Sequence, residues 1–274
     1  MTVTPATGPH RPADATDDAT PDATADVTPD VTDTGIARVR PGECHVWFAD
    51  ASADLGLLSL LDATERDRYR QFLREQPRAL YLTAHALARK VIAAQYGVRP
   101  AALRFTAVCK HCAGAHGKPR LVDPPFPLQL SLSHSDERVA VALTLDADVG
   151  VDLERVGHHR EDLARTVLSA AEQHTLRSLA EGARDAAFIR YWCRKEAVLK
   201  ATGDGLLVNP AALTVSPPDA PARLLAWDDR TGPARPVHLT DLDPGPGYRA
   251  AVAVLDHAPR VVAHRIDDVL GPPA

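Results

Sequence analysis

Apolar and polar side chains alternate along Val149-Gly150-Val151-Asp152-Leu153-Glu154, the two-residue period of a strand with one buried face. The same period recurs in 138–143 (RVAVAL), 248–254 (YRAAVAV) and 261–266 (VVAHRI), which predict further strands. Segments 86–97 (ALARKVIAAQYG) and 192–203 (WCRKEAVLKATG) carry instead the three-to-four-residue period of amphipathic helices, each running to a glycine suited to a C-cap. The two align with each other without a gap. Upstream, LDATER (61–66) matches LSAAEQ (168–173): Asp62 or Ser169 is followed three residues later by Glu65 or Glu172, a capping box in both copies. Downstream, PAALRF (100–105) matches PAALTV (210–215), and the strand runs 138–143 then 149–154 match 248–254 then 261–266, each read as an antiparallel pair. Five matches in one order predict an α+β fold: duplicated α+β halves related by a pseudo-twofold axis, with the active site in the cleft between them. The expected divisions are 1–41, a Thr/Asp/Ala/Pro-rich segment with too little to bury and hence disordered; 42–145, the first half; and 146–274, the second.

Composition narrows the function. The chain has 274 residues, 45% hydrophobic and 5% aromatic, so its core rests on Leu, Val and Ala. A net charge of −5 argues against a basic surface for nucleic acid. No run of eighteen apolar residues predicts a membrane span, and no basic-then-apolar leader opens the chain, so a cytoplasmic protein is expected. A duplicated chain already contains its own pseudo-dimer, so a monomer is expected. Four cysteines make no disulfide framework. Cys109 and Cys112, near His111 and His116, invite a zinc reading, but no second well-spaced ligand pair follows.

Candidate chemistry gathers in the second half. In 149–154, Gly150, Asp152 and Glu154 share a face, with carboxylates about 6.5–7 Å apart along the strand and able to converge on one hard cation; Gly150 leaves room for a ligand. Trp192, Glu196 and Lys200 form one stripe of the second helix. Lys90 stands where Glu196 does in the duplicate helix, and His264 and Ile266 where Asp152 and Glu154 do, so a single asymmetric site is expected. Three carboxylates without His or Cys favour magnesium or manganese, and a lysine beside them suits a phosphate. In LSLSHS (130–135) the turn residues Ser133 and His134 can face an anion, and HGKPRL (116–121) presents Lys118 and Arg120.

Together the segments GVDLE (150–154), WCRKEAVLK (192–200), the GKP loop and the Ser-His turn resemble the 4′-phosphopantetheinyl transferases of the large, surfactin-synthetase-activating type, over roughly residues 44–266. The resemblance implies Mg²⁺-dependent transfer of phosphopantetheine from coenzyme A to a serine of an apo acyl or peptidyl carrier protein, with 3′,5′-ADP released. It implies Asp152, Glu154 and Glu196 as metal ligands, Glu196 as base and Lys200 as a charge stabiliser. It also implies coenzyme A contacts from Ser133, His134 and Lys118, and from an arginine of the first helical region, Arg78 before Arg68 or Arg89. Ser131 stands where many relatives have Asn, which puts one ligand hydrogen bond in question. Two other classes could use the same residue types, a metal-dependent phosphodiesterase and an inactive coenzyme A-binding module.

Overall fold

A computed structural model describes residues 31–108, 114, 117–123, 127–145, 147–158, 161–228, 232–233, 235–267 and 269. The candidate zinc residues Cys109, His111, Cys112 and His116, and residues 1–30 of the expected disordered segment, lie outside these. Residues 31–41 correct that expectation for their own stretch. Ile36, Ala37 and Val39 are buried in the first core, and the Val39 N–H donates to Gln95 Oε1 at 2.9 Å.

The first half runs β1 (Glu43–Asp50), α1 (Ala63–Gln71), α2 (Glu75–Tyr96), β2 (Arg104–Thr106), β3 (Arg120–Asp123), β4 (Leu128–Ser135) and β5 (Arg138–Leu145). The second runs β6 (Val149–Arg155), α3 (Glu161–Val167), α4 (Ala170–Ser178), α5 (Glu181–Thr202), β7 (Leu213–Val215), β8 (Leu224–Trp227), β9 (Val237–Leu242), β10 (Tyr248–Leu255) and β11 (Arg260–Arg265). The duplicated helix signals fold alike. Asp62 with Glu65, and Ser169 with Glu172, form reciprocal capping boxes. Gly97 and Gly203 end α2 and α5 at φ 64° and 74°, backbone that suits glycine.

Each half also buries a cation at a matching place. Arg89 of α2 pairs with Asp62 and Glu65 and donates to the Pro100 and Leu103 carbonyls at 2.7 and 3.0 Å. Lys195 of α5 pairs with Glu172 at 2.5 Å and donates to Val167, Pro210 and Leu213 carbonyls at 2.9, 3.0 and 2.7 Å. Such a cation ties the capping box to the turn after the long helix, and its burial is compensated by a full set of acceptors.

The strands pair differently from the expectation. The sheets are ordered β11-β1-β5-β4 and β6-β10-β9, so β5 does not pair with β6, nor β10 with β11. Instead β6 crosses to lie antiparallel to β10, and β11 returns to the first sheet parallel to β1. Both faces of β6 demand burial. Val149, Val151 and Leu153 enter a core shared by the two sheets, with Val46, Phe48, Ala140, Ala142 and Val252. The other face lies under α5. By these pairings β1, antiparallel to β5 as β6 is to β10, is the counterpart of β6, which corrects the assignment of that place to His264 and Ile266. Toward α2, β1 turns Trp47 and Ala49, both apolar.

Candidate active site

The site is built where the edges of the two sheets meet. Strand β6 is an edge strand, and its outward N–H groups are taken up by hydroxyls of β4. Ser131, Ser133 and Ser135 accept from the amides of Val151, Leu153 and Arg155 at 3.0, 3.2 and 3.2 Å. The two-residue period of the serines matches the two-residue period of the amides, so one register locks both sheets. Ser131 is therefore a bridge between strands and not a ligand contact.

On the face toward α5, Gly150 admits the helix rather than a ligand. A methyl there would overlap the carbonyl oxygen of Ala197 and the amide nitrogen of Ala201, main-chain atoms that cannot turn aside. This close approach brings the stripe Trp192, Glu196 and Lys200 over Asp152 and Glu154. Lys200 Nζ meets Asp152 Oδ1 at 2.6 Å and Ser133 Oγ at 3.1 Å, while Ser133 donates to Asp152 at 3.0 Å. Ser133, accepting also from Leu153, has its hydrogen-bonding capacity filled. Glu154 accepts from Ser135 at 2.5 Å and from the side chain of Trp192.

The carboxylates load one another electrostatically. Burial, then the charges of Asp152 and Glu154, push the Glu196 pKa up to about 7. Glu154 is raised by burial and by Asp152, in spite of Ser135. Burial works against the charge on Lys200, but Asp152 and then Glu196 outweigh it and raise its pKa. Asp152 Oδ2 and Glu196 Oε1 are buried with no hydrogen-bond partner. Two orphaned carboxylate oxygens with a third carboxylate beside them fit a hard cation such as Mg²⁺. Among the described residues, however, no group of three or more His, Cys, Asp or Glu side chains is assembled in ligand geometry. The triad expected from sequence is thus brought to one place but held apart, with Asp152 engaged by Lys200.

A cavity of about 690 Å³ opens beside these groups, a size usual for small-molecule sites. It is lined from the first half by Arg68, Phe72, Tyr81, His85, Phe105 and His134 among others, and from the second by Asp152, Glu154 and Lys200. His134 is exposed into it, its pKa lowered by partial burial and the Lys200 charge. Three residues for which the resemblance implies ligand contacts have other partners in this structure. Arg78 stacks its guanidinium on the Tyr69 ring, 5.6 Å from the centroid, and does not line the cavity, whereas Arg68 does. Arg89 touches the cavity wall but is spent on the α1 cap. Lys118 is turned away, onto Asp148 and the end of α5. Conversely, sequence reasoning missed His85, whose Nδ1 lies 2.9 Å from Glu65 Oε1 and whose ring packs on Tyr81 at 4.1 Å. The spacing Tyr81, His85, Arg89, one stripe of α2, was the available signal.

Cavity, carboxylates and lysine are thus gathered at one place in the fold. Residues 148–253 match the family model described as the 4′-phosphopantetheinyl transferase superfamily. The chain is 31% identical over 220 residues to the 4′-phosphopantetheinyl transferase HetI of Nostoc sp., covering 77% of this chain and 87% of that one. It is 24% identical over 196 residues to the 4′-phosphopantetheinyl transferase Sfp of Bacillus subtilis, covering 71% and 82%. Among solved structures, the Chronobacterium ammoniagenes ACPS–CoA complex aligns over 40% of this chain and 97% of that one, at 23% identity and a TM-score of 0.34. The chain belongs to the 4′-phosphopantetheinyl transferase superfamily and is an enzyme of that class. No helix among the described residues is long and apolar enough to cross a membrane.

Proposed function

We propose that this enzyme moves the 4′-phosphopantetheine of coenzyme A onto the serine of an apo carrier protein in an Mg²⁺-dependent reaction that releases 3′,5′-ADP. One observation carries the reading: Glu196, buried and partly unpartnered, with its pKa raised to about 7, is charge-coupled to the Asp152–Lys200 pair that lines the cavity. A carboxylate poised near neutral pH suits a general base.

Glu196 takes the proton of the carrier serine. The serine oxygen attacks the β-phosphorus of coenzyme A in line. The new O–P bond forms as the bond from that phosphorus to the bridging pyrophosphate oxygen breaks, and the electron pair leaves on 3′,5′-ADP. Lys200, held by Asp152 and Ser133, places a positive charge for the pyrophosphate oxygens. Asp152, Glu154 and Glu196 would hold the Mg²⁺, which supplies charge neutralisation at the phosphates when bound. Ser133 works through Asp152 and Lys200 rather than on the coenzyme, and His134 faces the coenzyme's phosphates from the cavity wall. Arg68 takes the place first given to Arg78. The enzyme acts as a monomer, its two halves supplying both walls of the site.

The test is mass spectrometry of an apo carrier incubated with the enzyme, coenzyme A and Mg²⁺. One phosphopantetheine should be added, with the gain lost in Asp152→Ala and Glu196→Ala and on chelation with EDTA. No gain across several apo carriers with folded enzyme would refute the proposal; activity indifferent to chelation would refute its metal part.

A further inference from the structure

Lys118 lies in the first half, in the loop before β3, yet its hydrogen-bond partners among the described residues belong to the second. Its Nζ donates to the Ala201 carbonyl at 3.1 Å and meets Asp148 Oδ1 at 3.3 Å. Its stem runs against Gly203, where an added methyl would sit 4.0 Å from Lys118 Cδ. The Ala201 carbonyl is in the last turn of α5, where helix carbonyls lack partners within the helix and a cation is favoured. Asp148, just before β6, is itself held by Arg235 at 2.8 Å, with Arg120 at 3.7 Å, and Arg235 also pairs with Asp256. One ammonium thus joins three things: the cavity wall at Gly117 and Pro119, the start of the strand bearing Asp152, and the helix turn bearing Lys200. It is half-buried, with 9% of its side chain exposed, and is not among the residues lining the cavity.

We propose that Lys118 is a positioning residue, an ion-pair latch with Asp148 that sets the cavity wall of the first half against the Lys200 turn of the second. This rests on the transfer reaction proposed above, and it departs from the role of coenzyme contact that the family resemblance implies for this lysine. Releasing the latch frees the wall and Lys200 to shift relative to each other. A misplacement of about 1 Å in such a site costs up to about a hundredfold in rate.

The experiment compares the full chain with K118M, K118R, D148N and the double variant K118M/D148N, each assayed with coenzyme A and with 3′-dephospho-coenzyme A. K118M and D148N should each lower kcat roughly tenfold or more. KM for the two coenzymes should move together, K118R should recover most of the rate, and the double variant should be no worse than K118M, because both changes break one link. Three results overturn the latch: K118M raising KM for coenzyme A alone with kcat kept, as a phosphate contact would; losses that multiply in the double variant; or a silent D148N. If the wild type transfers nothing, the functional reading falls on its own. The latch is then judged from thermal unfolding of wild type, K118M, D148N and the double variant: non-additive losses uphold it, and additive ones refute it.

Discussion

Under α2, strand β1 presents Trp47 and Ala49; under α5, strand β6 presents Gly150 and Asp152. The two helices start, end and anchor alike, each with a buried cation reaching back to a capping box. What differs is the space beneath them. Trp47 fills its side with an indole that stacks on His264, 5.1 Å between rings. Gly150 lets α5 settle onto the backbone of β6, and the polar stripe of the helix then closes over two carboxylates. The duplicated scaffold therefore carries an apolar strand face under α2 and, under α5, a strand face with no side chain at Gly150 and a carboxylate at Asp152.

The difference can be broken at its most chemical point by Glu196→Gln, which keeps the shape and removes the proposed base. Turnover should fall by about 10²–10⁴-fold with little change in melting temperature, measured by carrier mass gain and calorimetry. The shared scaffold is probed by Lys195→Met, which strands the buried Glu172, and by Arg89→Met, which leaves the half-buried Asp62 and Glu65 without their cation. The first should cost about 3–5 kcal/mol in denaturant unfolding and the second somewhat less; a loss confined to one half would deny their equivalence.

Gly150→Ala tests the close approach itself. Moving α5 off β6 should cost about 1–3 kcal/mol and depress activity further than the stability loss explains, since the stripe is displaced from Asp152. The closing strand β11 offers a pH test confined to the first sheet. His264 Nε2 and His45 Nδ1 are 2.9 Å apart, and burial, then the His45 charge, lowers the His264 pKa to about 4. A histidine with a lowered folded pKa binds fewer protons folded than unfolded between about 4 and the usual 6.5. Stability should therefore fall as pH drops through that window, and His264→Gln should flatten the melting-temperature profile there. The smallest effect is expected from His85→Ala, a roughly three- to tenfold rise in KM for coenzyme A without loss of kcat; an unchanged KM would remove His85 from the site.

Much of the site was legible because it is local. The capping boxes, the C-cap glycines, the strand face of Asp152 and Glu154 and the helix stripe of Glu196 and Lys200 all follow from spacing within one element, and all are found in the fold. Strand partnership was not legible. Residues 138–143 and 149–154 look like a hairpin, but backbone hydrogen bonding is indifferent to sequence neighbours, and β6 finds two buried faces only beside β10. Where Lys118 and Arg78 settle was not legible for a related reason. A flexible cation in a loop or helix pairs with whichever acceptor the fold brings near, here the end of α5 and a tyrosine ring.

By itself the sequence determined the periodicities, hence the helices and strands, their duplication, and which residue types could carry phosphate chemistry. Only the tertiary structure decided that Gly150 makes room for a helix, that serines 131, 133 and 135 join two sheets, and that Glu196 is buried beside Asp152. The physical reason is range. Spacing along a chain governs contacts within a turn or a strand, whereas desolvation and charge–charge repulsion, which raise the Glu196 pKa toward 7, arise only when distant segments pack together.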